Sequence, residues 1–119
     1  MTEWKKKLAM AENNQTKRAL GMLGLAMKAG KVVIGTEQVI AYLQKRKLSL
    51  VLVSGNASEG TKKKIGFKCE FYKTTLTEVK VDTDELGRLL GKTYAPAVAG
   101  ITDENFSNAI AKLLNEENA

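Results

Sequence analysis

Leu48-Ser49-Leu50-Val51-Leu52-Val53-Ser54 decides the fold class. Between its serines the run is unbroken Leu and Val. A strand with one face in water alternates apolar with polar residues, and this one does not, so it belongs at the centre of a sheet covered on both faces. Covering both faces takes helices on each side.

The flanking sequence supplies them. Upstream, Leu20, Leu23 and Met27 form one stripe, with Arg18 and Lys28 outside it. That pattern predicts a helix over Thr16–Gly30, capped by Asn14 and closed by Gly30. Lys31–Ile34 reads as a short β-branched strand. Gly35 turns the chain, and Thr36 caps a second helix to about Lys45 with Val39, Ile40 and Leu43 inward. Downstream, Gly55–Ser58 turns into a lysine-rich helix over Glu59–Glu70, and Phe71–Thr74 reads as a short strand. Thr83 or Asp84 opens a helix that ends near Leu90, and Gly91 closes it. Ala95–Thr102 is a further apolar strand, and Asp103 caps a last helix through Leu114 with Phe106, Ile110 and Leu113 inward. Helices alternating with short strands imply a three-layer α/β/α sandwich around a mixed sheet of four or five strands. No repeat, linker or low-complexity segment interrupts it. Residues 14–119 therefore read as a single domain, preceded by a flexible basic segment, residues 1–13.

A chain of 119 residues is the size of one domain and buries roughly two thirds of its unfolded surface, enough to dispense with staples. Its lone cysteine, Cys69, forms no internal disulfide, which fits a reducing cytosol. Neither a signal peptide nor an apolar run of about 18 residues is visible, so a cytoplasmic protein with no membrane association is expected. Nothing calls for a dimer, and a monomer is the expectation.

Charge points to a partner. The net charge is +6, but residues 1–64 hold 13 basic and 4 acidic side chains, whereas residues 65–119 hold 6 basic and 9 acidic. Such asymmetry suits a polyanion, because each neutralised phosphate releases condensed counterions. Lys62, Lys63 and Lys64 fall early in a helix, where the dipole disfavours cations. An anionic ligand there would explain them. Trp4, beside Lys5–Lys7, is able to stack on a base or to pack on the domain.

Enzymatic constellations are scarce. Without histidine the chain lacks the commonest general base and metal ligand, and one cysteine makes no structural zinc site. Cys69, flanked by apolar Phe67 and Phe71, reads as a buried thiol. Gly91-Lys92-Thr93 resembles the end of a phosphate-binding loop, but such a loop needs glycine at 86, which is Leu, and must follow a strand. Asp82, Asp84 and Glu85 complement a helix dipole. The expectation is no enzyme, no catalytic residue, no metal, no cofactor and no small-molecule substrate.

Several segments, in order, resemble a known family. These are Arg18-Ala19-Leu20-Gly21-Met22-Leu23-Gly24-Leu25-Ala26, Lys28-Ala29-Gly30-Lys31, Gly35-Thr36, Leu50–Ser54, Asn56-Ala57-Ser58 and Thr61–Lys64. Lys68-Cys69-Glu70-Phe71-Tyr72, Glu85-Leu86-Gly87-Arg88, Gly91-Lys92 and Val98–Phe106 continue it. Together, over about residues 17–114, they are similar to the bacterial YlxQ-type branch of the kink-turn-binding ribosomal protein family, the large-subunit "L-seven-A-e" type. The resemblance implies an α/β/α sandwich that binds ribosomal or other structured RNA. A glycine-led helix start, here Gly35-Thr36-Glu37-Gln38, would enter the RNA at tandem G·A pairs. A second loop, here Thr93-Tyr94-Ala95-Pro96, would contact a flipped-out nucleotide, with Tyr94 placed to stack. Kink-turn readers carry Asn-Glu after the Gly-Thr and a lysine three residues later, where this chain has Glu37-Gln38 and Ala41; Val33 and Ile34 replace basic residues before the glycine. Tight recognition of a standard kink-turn is therefore not expected, and Lys28, Lys31 and Lys62–Lys64 are assigned a larger share of the affinity. The alternative is a protein–protein interaction module on the same fold with weakened RNA recognition.

Overall fold

A computed structural model describes residues 3–92 and 95–118 of the chain, with side chains over residues 15–92 and 95–115. The helices are α1 (Glu3–Lys28), α2 (Thr36–Gln44), α3 (Glu59–Phe71), α4 (Thr83–Leu89) and α5 (Glu104–Asn118). The strands are β1 (Val32–Ile34), β2 (Leu50–Ser54), β3 (Leu76–Val79) and β4 (Val98–Ile101). They form one mixed sheet in the order β1-β4-β2-β3. β4 runs antiparallel to both β1 and β2, and β2 runs parallel to β3.

All five residues of β2 are buried, and their alternation divides the core in two. Leu50 and Leu52 join Leu20, Leu23, Leu86, Leu90, Ile110 and Leu114 beneath α1, α4 and α5. Val51 and Val53 point the other way, to Val39, Ile40, Leu43, Ile65 and Cys69 beneath α2 and α3. This is the three-layer sandwich, with four strands. On β4 the small residues are functional to the packing: a Cβ added at Gly100 would stand 2.8 Å from Leu48 Cδ1.

Helix ends follow local chemistry. α1 closes at Gly30, whose φ is 74°. Lys31 N–H donates to the Ala26 carbonyl and Gly30 N–H to Met27, the paired bonds of a left-handed stop. Gly91 closes α4 in the same way, with Lys92 N–H donating to Gly87 and Gly91 N–H to Arg88. Asp103 caps α5 through Phe106 N–H, at 3.0 Å.

Three expectations need correction. Asn14 is no cap: α1 starts at Glu3 and runs through residues 3–13, a stretch rich in Ala, Leu, Lys and Glu without Gly or Pro, all good helix formers. Thr36 is the first residue of α2, and Gly35 holds the cap position. α4 opens at Thr83 as expected, with Asp82 as its cap. The strand expected at Phe71–Thr74 lies instead at Leu76–Val79. Phe71 ends α3, Tyr72 is its cap, and Lys73 takes the left-handed stop at φ 54° while Thr74 N–H donates to Cys69.

Candidate nucleic-acid interface

The C-terminal ends of β1, β2 and β3 lie at one edge of the sheet, so α2, α3 and α4 all begin there. Their beginnings differ. Ser58 Oγ accepts from Thr61 N–H at the start of α3, and Asp82 Oδ1 from Glu85 N–H at the start of α4. α2 has no side-chain cap. Gly35 adopts φ 100° and ψ 148°, a backbone state open to glycine almost alone. Its N–H is taken by the Val98 carbonyl at 2.9 Å, which docks the turn against β4. The N–H groups of Thr36, Glu37 and Gln38 then point outward from the helix start without a side-chain acceptor among the described residues. Such a start offers donors and a positive dipole end to an anion.

A basic helix flanks this start. Lys64 of α3 reaches across to Glu37, Nζ to Oε1 2.8 Å, with the two side chains 51% and 80% exposed. The acidic residue at the helix start is thus neutralised locally. Lys62 turns the other way, donating to the Gly55 carbonyl at 2.8 Å and pairing with Glu78 at 3.2 Å. Lys63 is exposed and makes no ion pair among the described residues. Behind this edge, Ser54 Oγ sits 2.6 Å from both the Val81 carbonyl and Asn56 Oδ1. Asn56 Oδ1 also accepts from Thr83 N–H at 3.0 Å. These bonds tie the ends of β2 and β3 to the start of α4.

The expected contact residues divide into those the structure brings together and those it does not. The start of α2, Gly35 to Gln38, stands beside Lys64 through the Glu37 pair, and Lys63 is exposed next to Lys64 on α3. The loop before β4 approaches the same edge, because Ser54 N–H donates to the Ala97 carbonyl at 2.8 Å. Of the Ala95-Pro96 part of that loop, Ala95 is exposed and Pro96 is buried, so of these two Ala95 is open to a ligand. Thr93 and Tyr94 lie outside the described residues. Lys28 and Lys31 are exposed, but at the opposite end of β1. Lys31 accepts from Thr102 N–H just past β4, whereas Gly35 bonds to Val98 at its start. Four residue steps along the strand, ~13 Å, separate Lys31 from Gly35.

No group of three His, Cys, Asp or Glu residues suited to a metal occurs among the described residues. Cys69 is buried, and desolvation raises its thiol pKa from 9.0 to about 11, so it is a poor nucleophile. Phe67 and Phe71 do not contribute to that burial as expected, for both face solvent. Sequence reading missed two features of this region. The Glu37–Lys64 pair joins residues on different helices, and no local signal announces it. The exposure of Phe67 and Phe71 was legible from the helix period, since Phe67 falls opposite Ile65 and Phe71 opposite Cys69.

Residues 17–111 match the model of the Ribosomal protein L7Ae/L30e/S12e/Gadd45 family. The chain is 36% identical over 105 residues to the RNA-binding protein YlxQ of Enterococcus faecium, covering 88% of this chain and 98% of that one. It is 39% identical over 94 residues to RNA-binding protein YlxQ of Bacillus subtilis strain 168, covering 79% and 92%. A solved structure from Bacillus halodurans, of a protein described as having unknown function, superposes with a TM-score of 0.76 at 36% identity. That superposition covers 82% of this chain and 96% of that one.

Proposed function

Because the chain belongs to the ribosomal protein L7Ae/L30e/S12e/Gadd45 family, we propose that it is a non-enzymatic, ribosome-associated RNA-binding protein that receives structured RNA at the start of α2. The observation that carries this reading is the glycine-led start of α2, which, among the described residues, is the one of three neighbouring helix starts without a side-chain cap. Phosphate oxygens supply the missing acceptors, and Gly35 lets the RNA backbone approach without a side chain in its way.

Within this site the roles follow from position. Thr36 and Gln38 offer polar side chains to base edges, and the Lys63 and Lys64 ammonium groups hold phosphates. Lys62 serves the interface indirectly, by anchoring the start of α3 to β3. Ala95 and the neighbouring Thr93 and Tyr94 form the second contact, where an unstacked base docks. Lys28 and Lys31 add long-range attraction from the far end of β1. Kink-turn-like RNA is the class of target, with phosphate contacts outweighing base reading because Ala41 offers no hydrogen bond. No helix of the described residues is long and apolar enough to cross a membrane, and a cytoplasmic location accords with ribosomal RNA as partner.

Equilibrium binding to a kink-turn hairpin and to ribosomal RNA, measured from about 50 to 200 mM salt, tests the reading. A phosphate-dominated interface loses affinity steeply over that range, with a slope of about 0.9 per phosphate neutralised. Salt-insensitive binding, or no complex at low salt, would overturn it.

A further inference from the structure

Phe67 and Phe71 lie on the solvent face of α3, opposite buried Ile65 and Cys69, and each is 72% exposed. Four residues apart, they share one face of the helix. The Phe71 ring meets Tyr72 edge-on, with centroids 4.9 Å apart and planes at 78°. The Arg46 guanidinium lies 5.7 Å from the centroid of Tyr72, and Lys45 Nζ lies 6.0 Å from that of Tyr42. The core beneath closes without either phenylalanine. Scattered apolar side chains on a surface need no explanation, but two adjoining aromatic rings left in water form a patch that does.

The charge around the patch selects its occupant. Segments 45–47 and 67–73, which build it, carry the cations Lys45, Arg46, Lys47, Lys68 and Lys73 against the single acid Glu70. Aromatic faces set among cations match a ligand that is flat and apolar in one part and anionic in another. Unpaired nucleotides have both. The patch also continues the α2–α3 edge. Lys63, Phe67 and Phe71 follow one another at four-residue steps along α3. From Lys64 to Phe71 the helix rises ~10 Å, about three nucleotides at the ~3.4 Å spacing of a stacked strand.

We propose that Phe67 and Phe71, with Arg46 and Lys68, form a stacking platform for unpaired bases of an RNA strand that leaves the α2 start along α3. The inference rests on the RNA-binding reading above and names a further part of the ligand, a single-stranded extension next to the structured element.

The test compares a blunt kink-turn hairpin with the same hairpin carrying six unpaired adenosines at its 5′ or its 3′ end, at about 50 mM salt. One extension is expected to tighten binding to the wild-type chain by about five-fold or more, the gain from stacking a single base. The double variant Phe67→Ala/Phe71→Ala, altered only at exposed positions, is expected to lose that gain and keep its affinity for the blunt hairpin. If neither extension tightens binding, or the double variant keeps the gain, the platform is refuted while the α2 site stands. If the wild-type chain binds neither hairpin, the RNA-binding reading fails as well. Loss of a co-purifying protein from the double variant, with all RNA affinities unchanged, assigns the patch to a protein partner and overturns the proposal.

Discussion

Replacing Glu37 by Gln is expected to tighten RNA binding at a small cost in stability. The Glu37–Lys64 pair is 2.8 Å long but both side chains are largely exposed, and exposed pairs contribute about 0.2–1 kcal/mol. Glu37 also lies in the first turn of α2, where an acid adds a few tenths through the dipole. Losing both costs about 1 kcal/mol of folding free energy. In the complex the balance reverses. A carboxylate ~7 Å from a phosphate in a solvent-like dielectric is repelled by about 0.6 kcal/mol, so two phosphates at the helix start contribute about 1 kcal/mol, roughly five-fold in affinity. The variant also frees Lys64 for phosphate, which steepens the logarithmic salt dependence by about 0.9. Fluorescence anisotropy with a labelled hairpin over about 50–200 mM salt reads both effects. Lys64→Gln is expected to do the opposite, because it leaves the Glu37 charge bare beside the RNA. Weaker binding by Glu37→Gln, or an unchanged salt slope, would refute the placement of RNA at this helix start.

Three further substitutions test the architecture beneath the site. A Cβ at Gly35 would meet open space, so the cost of Gly35→Ala comes from its φ of 100°. About 1–3 kcal/mol of stability is expected to go, together with much of the RNA affinity, as read by denaturant midpoints and binding. Gly100→Ala brings a methyl group to 2.8 and 3.0 Å from the Leu48 Cδ atoms. It is expected to cost about 1–3 kcal/mol in urea unfolding without changing RNA affinity in the folded protein. Burial raises the Cys69 thiol from 9.0 to about 11, so folding favours its neutral form. The stabilisation is complete below pH 9 and is lost as pH climbs through about 11. Cys69→Ala is expected to be less sensitive than wild type across that window, and a thiol reagent is expected to label Cys69 only on unfolding.

The correct and incorrect readings of the sequence have a common physical origin. β2 was legible because burial on both faces leaves no position for a polar residue except at its ends. α2 was legible because its inward stripe is unmixed, and α5 because Phe106 and Ile110 mark its inward face although the buried Ser107 shares it. β3 was not. It is an edge strand with partly exposed positions, so Leu76-Thr77-Glu78-Val79 carries polar residues where a central strand has none. Phe71-Tyr72, with its strong β character, competed for the assignment. The stop that ends α3 would have settled the matter had it contained glycine, as the stops at Gly30 and Gly91 do. It uses Lys73 at φ 54° instead, and a lysine announces nothing.

The same distinction separates the legible part of the site from the rest. Gly35 was legible because only glycine holds its backbone state, so one residue reports a local geometry without help from the fold. The lysines were ambiguous because their partners are non-local. Lys62, Lys63 and Lys64 are consecutive and chemically identical. The helix sends the first to Glu78 and the third to Glu37, and leaves the second in water. Lys28 and Lys31 looked adjacent to Gly35 because they are close in sequence, yet β1 carries the chain to the other end of the sheet between them. Basic residues clustered in the first half of the sequence are therefore not clustered on one face of the fold. The proposed site at the α2 start rests instead on a residue-specific backbone, on N–H donors without a side-chain acceptor among the described residues, and on a cation whose pairing with Glu37 an incoming phosphate would contest.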